Sequence, residues 1–222
     1  MTASPAPELH VVTFPSFAEL KRRLPRLLLG IFVLAPGISL VIEAHLGVSP
    51  YDVLHQGLSD LTGLSFGSVV VLLGLLILTV WIPLGQRFGI GTVINTLSVG
   101  FIVDGFLHLL PNAHALGLRW VMLLGGIVVS ALGMGLYIGA GLGPGPRDGL
   151  MTGIAAKGYP LWAVRTVLEL TALGTGYALG GDVGVGTMLF AFGIGPLGHW
   201  FLQRFHLGVG GTDPDPDATV GE

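Results

Sequence analysis

The chain is predicted to be an all-α integral membrane protein: six transmembrane helices in two inverted-topology three-helix repeats, each with one short re-entrant or interfacial helix. Three observations predict this. Of 222 residues, 51% are hydrophobic and only 10% charged, and the mean hydropathy is +0.79, far from the mix of a soluble domain. Leu46-Gly-Val-Ser-Pro-Tyr-Asp-Val-Leu54 returns 96 residues later as Leu142-Gly-Pro-Gly-Pro-Arg-Asp-Gly-Leu150. The Lys and Arg residues, finally, fall almost entirely on one side of the expected membrane.

Residues 1–15 are polar and proline-rich, lack the pattern of a secretory signal, and are expected to be a disordered tail. Ser16-Phe-Ala-Glu19 matches a capping box. It opens a short amphipathic helix over Phe17 to Leu24, whose Lys21, Arg22 and Arg23 suit an anionic membrane surface. Residues 1–22 thus form a tail and interfacial helix, 23–112 the first membrane repeat, 113–206 the second, and 207–222 an acidic disordered tail.

Six spans are expected, at about Arg26 to His45, Phe66 to Gly85, Gly91 to Leu110, Arg119 to Gly141, Leu161 to Gly180 and Val185 to Arg204, each near the ~20 residues needed to cross a hydrocarbon core. With the N-terminus inside, Lys21, Arg22, Arg23, Arg26, Arg87, Arg147, Lys157, Arg165 and Arg204 lie on the inner side and Arg119 alone outside. That bias fixes the orientation, with both termini cytoplasmic.

The repeat extends beyond its opening loops. At the offset of 96, Arg23 matches Arg119, Gly30 matches Gly126, and Gly37 matches Gly133. After a one-residue slip, Gly63 matches Gly158 and Gly89-Ile-Gly-Thr92 matches Gly184-Val-Gly-Thr187. Each half holds three spans and one short segment, Pro50 to Thr62 or Pro146 to Gly158. About 13 helical residues rise only roughly 20 Å, short of a core of about 30 Å. An odd number of spans per half makes the halves run oppositely, the plan of many secondary transporters. The three residues Gly63 to Ser65 reach about 10 Å, which favours a shallow dip over a deep hairpin.

Ser49-Pro-Tyr-Asp52 reads as a helix start, with Ser49 as N-cap, Pro50 in the first position and Asp52 in the third; Gly145-Pro-Arg-Asp148 repeats it with a glycine cap. Asp52 and Asp148 either satisfy free backbone N–H groups or, with Arg147 beside them, border a substrate or ion pathway at two helix N-termini. Asp104, Arg165 and Glu169 lie at or near the apolar slab, where an unpaired charge costs roughly 2.5–3.5 kcal/mol at the centre. Arg165 and Glu169 are spaced to pair along one helix face. Asp104 shares the most polar span with Thr92, Asn95, Thr96, Ser98 and His108, which reads as a cavity wall. His45, His55, His108 and His114 fall toward the outer side near Glu43 and Asp52, without a familiar metal-ligand spacing. Ala131, Gly135, Gly139 and Gly143 form a small-residue stripe suited to close helix packing.

Without cysteine there is no disulfide or thiolate chemistry. No hydrolase triad, nucleotide loop or nucleic-acid surface is present, so no enzyme activity, metal or cofactor is expected.

Leu46 to His55, Ile90-Gly-Thr-Val-Ile-Asn95, Gly143 to Leu150 and Gly180 to Thr187 together resemble the YczE/YitT group of bacterial multi-pass membrane proteins, over about residues 23–205. Tyr51 stands where tryptophan is commoner in that group. The resemblance implies the bacterial cytoplasmic membrane and brings no substrate or reaction with it. Its expected surroundings are the lipid bilayer, an unidentified small solute or ion, and a second copy or another protein. The expected function is a small-solute or ion permease with its site between the repeats. Two alternatives are a non-transporting scaffold or regulator that binds another protein, and a substrate-capturing subunit of an energy-coupling importer.

Overall fold

The computed structural model describes residues 16–111 and 113–205; the expected tails at 1–15 and after Gly208 lie outside them. Eight helices follow in order: α1 (Phe17–Glu43), α2 (Pro50–Thr62), α3 (Phe66–Leu84), α4 (Ile90–Leu109), α5 (Leu116–Gly139), α6 (Pro146–Ala155), α7 (Leu161–Ala178) and α8 (Val185–Phe205). No strand occurs among the described residues. Five helices, α1, α3, α4, α5 and α8, are long and apolar enough to cross a membrane. The helix over the expected fifth span, α7, is not one of them, and it carries the ion pair Arg165–Glu169. Large apolar side chains face outward, among them Leu76, Ile82, Val121, Leu170 and Phe192. Such a surface suits lipid and is unfavourable in water.

The separate interfacial helix expected over Phe17 to Leu24 is instead the start of α1, which runs unbroken past Pro25 and Pro36. A proline removes only its own main-chain donor, and its fixed φ is helical, so the helix can bend and continue. The capping box is formed as expected, with Ser16 and Glu19 closing on each other's backbone N–H. Arg23, expected at the membrane surface, is buried and pairs with Glu19 at 3.5 Å.

At the centre α1 and α5 pack antiparallel. Backbones meet at Gly30 with Tyr137, Leu34 with Gly133, Gly37 with Ser130, and Val41 with Gly126, a register that runs backwards along the two chains. The close approach uses glycines matched by the repeat, Gly30 with Gly126 and Gly37 with Gly133, because a Cβ at any of them would overlap the facing backbone or side chain. The stripe at Ala131 and Gly135 serves another neighbour, since Gly135 receives Phe201 of α8. Around the central pair, α4 packs on α1 and α8 on α5, while α2 packs on α7 and α6 on α3.

The last two contacts exchange the short helices between the halves. Their connections are exchanged in the same way. The Gly91 N–H donates to the Leu142 carbonyl at 2.8 Å, and the Gly186 N–H donates to the Leu46 carbonyl at 2.7 Å. Gly47 and Gly143, with φ of 100° and 125°, supply the left-handed turns these crossings need.

Both helix starts read from the sequence are present. Ser49 caps α2 through the Asp52 N–H with Pro50 in the first turn, and Gly145 starts α6 without a side-chain cap. The second short helix, α6, runs alongside the C-terminal half of α3. Pro146 lies beside Gly74 halfway along α3, Gly149 packs on Trp81, and Gly153 meets Gln86 beyond its end. The chain enters the two short helices through the loops at 44–49 and 140–145.

Candidate functional site

The first turns of α2 and α6 open on one cavity of about 140 Å³, enclosed by α1, α3, α4, α5 and α8. Its wall is built largely from positions matched by the repeat: Leu34 with Ser130, Ile38 with Met134, Ser49 with Gly145, Tyr51 with Arg147, Asp52 with Asp148, and Val99 with Ile194. Two matched residues touch across it, the Arg147 guanidinium lying 5.6 Å from the centre of the Tyr51 ring. That separation permits a cation–π contact.

Polar groups gather at the two helix starts. Asp52 accepts from the Ser49 hydroxyl at 2.6 Å and is 3.2 Å from Nδ1 of His55. Asp148 accepts from the Tyr137 hydroxyl at 3.2 Å, and its other oxygen lies 3.8 Å from Nε of Arg147. Burial alone would raise the Asp52 carboxyl; His55, the Ser49 hydroxyl and the Arg147 charge outweigh it and hold it below the ordinary aspartate value. Burial likewise works against the Arg147 charge, and Asp148 and Asp52 overcome it, so the guanidinium is held more firmly protonated than a free arginine. Among the described residues neither carboxylate accepts a hydrogen bond from a backbone N–H; their partners are the side chains of Ser49, His55 and Tyr137.

Of the seven pathway residues read from the sequence, four line this cavity: Asp52, Arg147, Asp148 and Asn95. The other three do not. Asp104 accepts the Gly67 N–H at 2.7 Å, closing the first turn of α3. Arg165 and Glu169 pair at 2.9 Å along α7. Of the histidines expected toward the outer side, His55 lines the cavity, and His45 lies 3.9 Å from both Glu43 and Asp182. No group of three metal-ligating side chains occurs among the described residues.

Sequence reasoning passed over Ser130 and Tyr137. Ser130 matches an apolar Leu34, and Tyr137 is one aromatic in a glycine-rich helix, so only the rotation of α5 shows that both face the cavity. A phenol and a hydroxyl on the stretch that also carries the close-packing glycines were the available signal.

The matched cavity walls, the exchanged short helices and the apolar outer surface belong to a membrane protein. Residues 21–203 match a family of unknown function, DUF6198. The chain is 36% identical over 181 residues to the uncharacterized membrane protein YczE of Bacillus subtilis, covering 80% of this chain and 82% of that one. The chain belongs to the YczE family of membrane proteins. An uncharacterized protein of Haemophilus influenzae is 36% identical over 178 residues, covering 80% of this chain and 82% of its own. The uncharacterized protein YyaS of Bacillus subtilis is 32% identical over 180 residues, with coverages of 78% and 89%. No solved structure matches this YczE-family chain.

Proposed function

We propose that this protein is a small-solute permease of the bacterial cytoplasmic membrane, built from two inverted repeats, with its solute site in the central cavity and both termini on the cytoplasmic side. The observation that carries the reading is the cavity itself, whose wall pairs Tyr51 with Arg147 and Asp52 with Asp148 across the two halves. A site made from matched positions lies where two oppositely oriented halves can rock about it, and helix starts that end beside a cavity offer donors to a solute. The antiparallel packing of the matched helices α1 and α5 supports opposed halves, and the Lys and Arg asymmetry supports the orientation. In this reading the protein moves its solute unchanged.

The absence of cysteine makes the test direct. Asn95→Cys places one thiol in the cavity wall. A small membrane-impermeant thiosulfonate is expected to label it from outside in intact cells and from inside in inverted vesicles, because a permease opens its site to each face in turn. Labelling from neither face, or from one face only, would contradict a permease and favour a scaffold.

A further inference from the structure

The groups facing the cavity also bear on what the solute is, an inference that rests on the permease reading. Among the described residues, the Arg147 side chain makes no hydrogen bond, its nearest carboxylate oxygen being 3.8 Å away. Asn95 is 6% exposed, lines the cavity and makes no side-chain hydrogen bond among the described residues. Its Oδ1 lies 3.9 Å from where a Cβ on Gly145 would stand, at the start of α6. The Ser130 hydroxyl, packed against Gly37 of α1, is fully buried and has no hydrogen-bond partner among the described residues. At α6 the glycine cap leaves the first N–H groups without the side-chain acceptor that Ser49 gives α2. Asn95 and Ser130 are buried polar groups of a kind normally satisfied, and the 37% exposed Arg147 side chain lines the same cavity. Their number and their convergence call for a ligand with acceptors, and the planar guanidinium fork fits a carboxylate.

Charge sets a second condition. The cavity holds two carboxylates, Asp52 and Asp148, against one guanidinium. A bare anion would bring a third negative charge into a low-dielectric space. A bare cation would leave the Arg147 fork and the open turn of α6 unanswered. A molecule with one carboxylate and one ammonium leaves the charge balance unchanged and meets both sets of groups, since the Asp52 and Asp148 oxygens each retain acceptor capacity. Most of the remaining wall is apolar, with Leu34, Ile38, Val99, Met134, Phe190 and Ile194; that part suits a hydrocarbon side chain.

We infer that the central cavity takes an α-amino-acid-like zwitterion with an apolar side chain, its carboxylate on Arg147 and the first turn of α6 and its ammonium between Asp52 and Asp148. Equilibrium binding to the full chain in lipid nanodiscs tests this with three probes that share one hydrocarbon body: leucine, 4-methylpentanoate and 3-methylbutylamine. Leucine is expected to bind, the acid and the amine at least tenfold more weakly, and Arg147→Gln to weaken leucine at least tenfold. Acid or amine binding as tightly as leucine would overturn the inference, as would leucine binding unchanged in Arg147→Gln. If that variant does not fold, the probe comparison on the natural chain decides alone. Failure of all three probes also overturns it; labelling of Asn95→Cys from both faces would then leave the permease standing with another solute class, and labelling from neither would remove both.

Discussion

The exchanged connections make a quantitative prediction at Gly89. Its φ of −90° suits any residue, so alanine there acts through space alone. The added Cβ would overlap the Leu142 carbonyl oxygen and stand 2.7 Å from the Gly143 Cα. Both obstacles are backbone and cannot swing aside. Overpacking of this kind costs about 1–3 kcal/mol, and displacing Leu142 also weakens its hydrogen bond from Gly91, worth about 1 kcal/mol. Gly89→Ala is therefore expected to lose about 2–4 kcal/mol, a fall in Tm of roughly 5–15 °C for a chain of this size. Gly184→Ala should do the same, because its Cβ would overlap the Leu46 carbonyl oxygen in the matched crossing. Gly105→Ala is the control: it lies within α4 with nothing within 4 Å of the new Cβ, and alanine there favours the helix by up to about 1 kcal/mol. Thermal unfolding of the purified variants in one detergent reads all three. Equal Tm values for Gly89→Ala and Gly105→Ala would refute the crossing as described.

Three further outcomes follow from single contacts. Arg119 donates through Nε to the Ala44 carbonyl at 2.6 Å and through its guanidinium to the His45 carbonyl, so Arg119→Gln should cost about 1.5–3 kcal/mol in thermal unfolding; an unchanged Tm would exclude this clasp at the end of α1. Trp81 is fully buried and donates to the Pro146 carbonyl at 3.0 Å; Trp81→Phe should lower stability by about 1–3 kcal/mol, and a neutral result would mean that α6 is not seated on α3 there. Asp52 is held below the ordinary aspartate value of 3.8, so its contribution to stability is present above that pH and is lost as pH falls through its lower folded-state value. A Tm profile between pH 6 and pH 3 should show an acid-side loss that is smaller in Asp52→Asn, and identical acid losses would contradict the assignment.

Much of this architecture was legible because it is local. The Ser49-Pro50 and Gly145-Pro146 starts depend on residues within one turn, so spacing alone reveals them. The repeat was legible in its glycines because close backbone approach fixes residue type at Gly30, Gly37, Gly126 and Gly133. What could not be read is non-local. Asp104 closes the first turn of α3, whose Gly67 is 37 residues away in sequence, and no helix-face spacing reveals such a partner. Gly89-Ile-Gly-Thr92 and Gly184-Val-Gly-Thr187 were visible as repeated sequence, but their grip on the loops of the opposite half depends on how the halves exchange. The break expected between the helix ending at Leu24 and the span starting at Arg26 does not occur, because α1 continues through Pro25.

The central claim is that the two halves face opposite ways around one shared cavity. The reporters are placed at Leu64 and Tyr159, matched residues in the turns after α2 and α6 that are 44% and 63% exposed. Leu64→Cys and Tyr159→Cys each give the cysteine-free chain one thiol, to be labelled with a membrane-impermeant maleimide in intact cells and in inside-out vesicles. The account predicts that Leu64→Cys reacts from outside the cell and Tyr159→Cys only in the inverted vesicles. Reaction of both from the same side would make the halves parallel and contradict it.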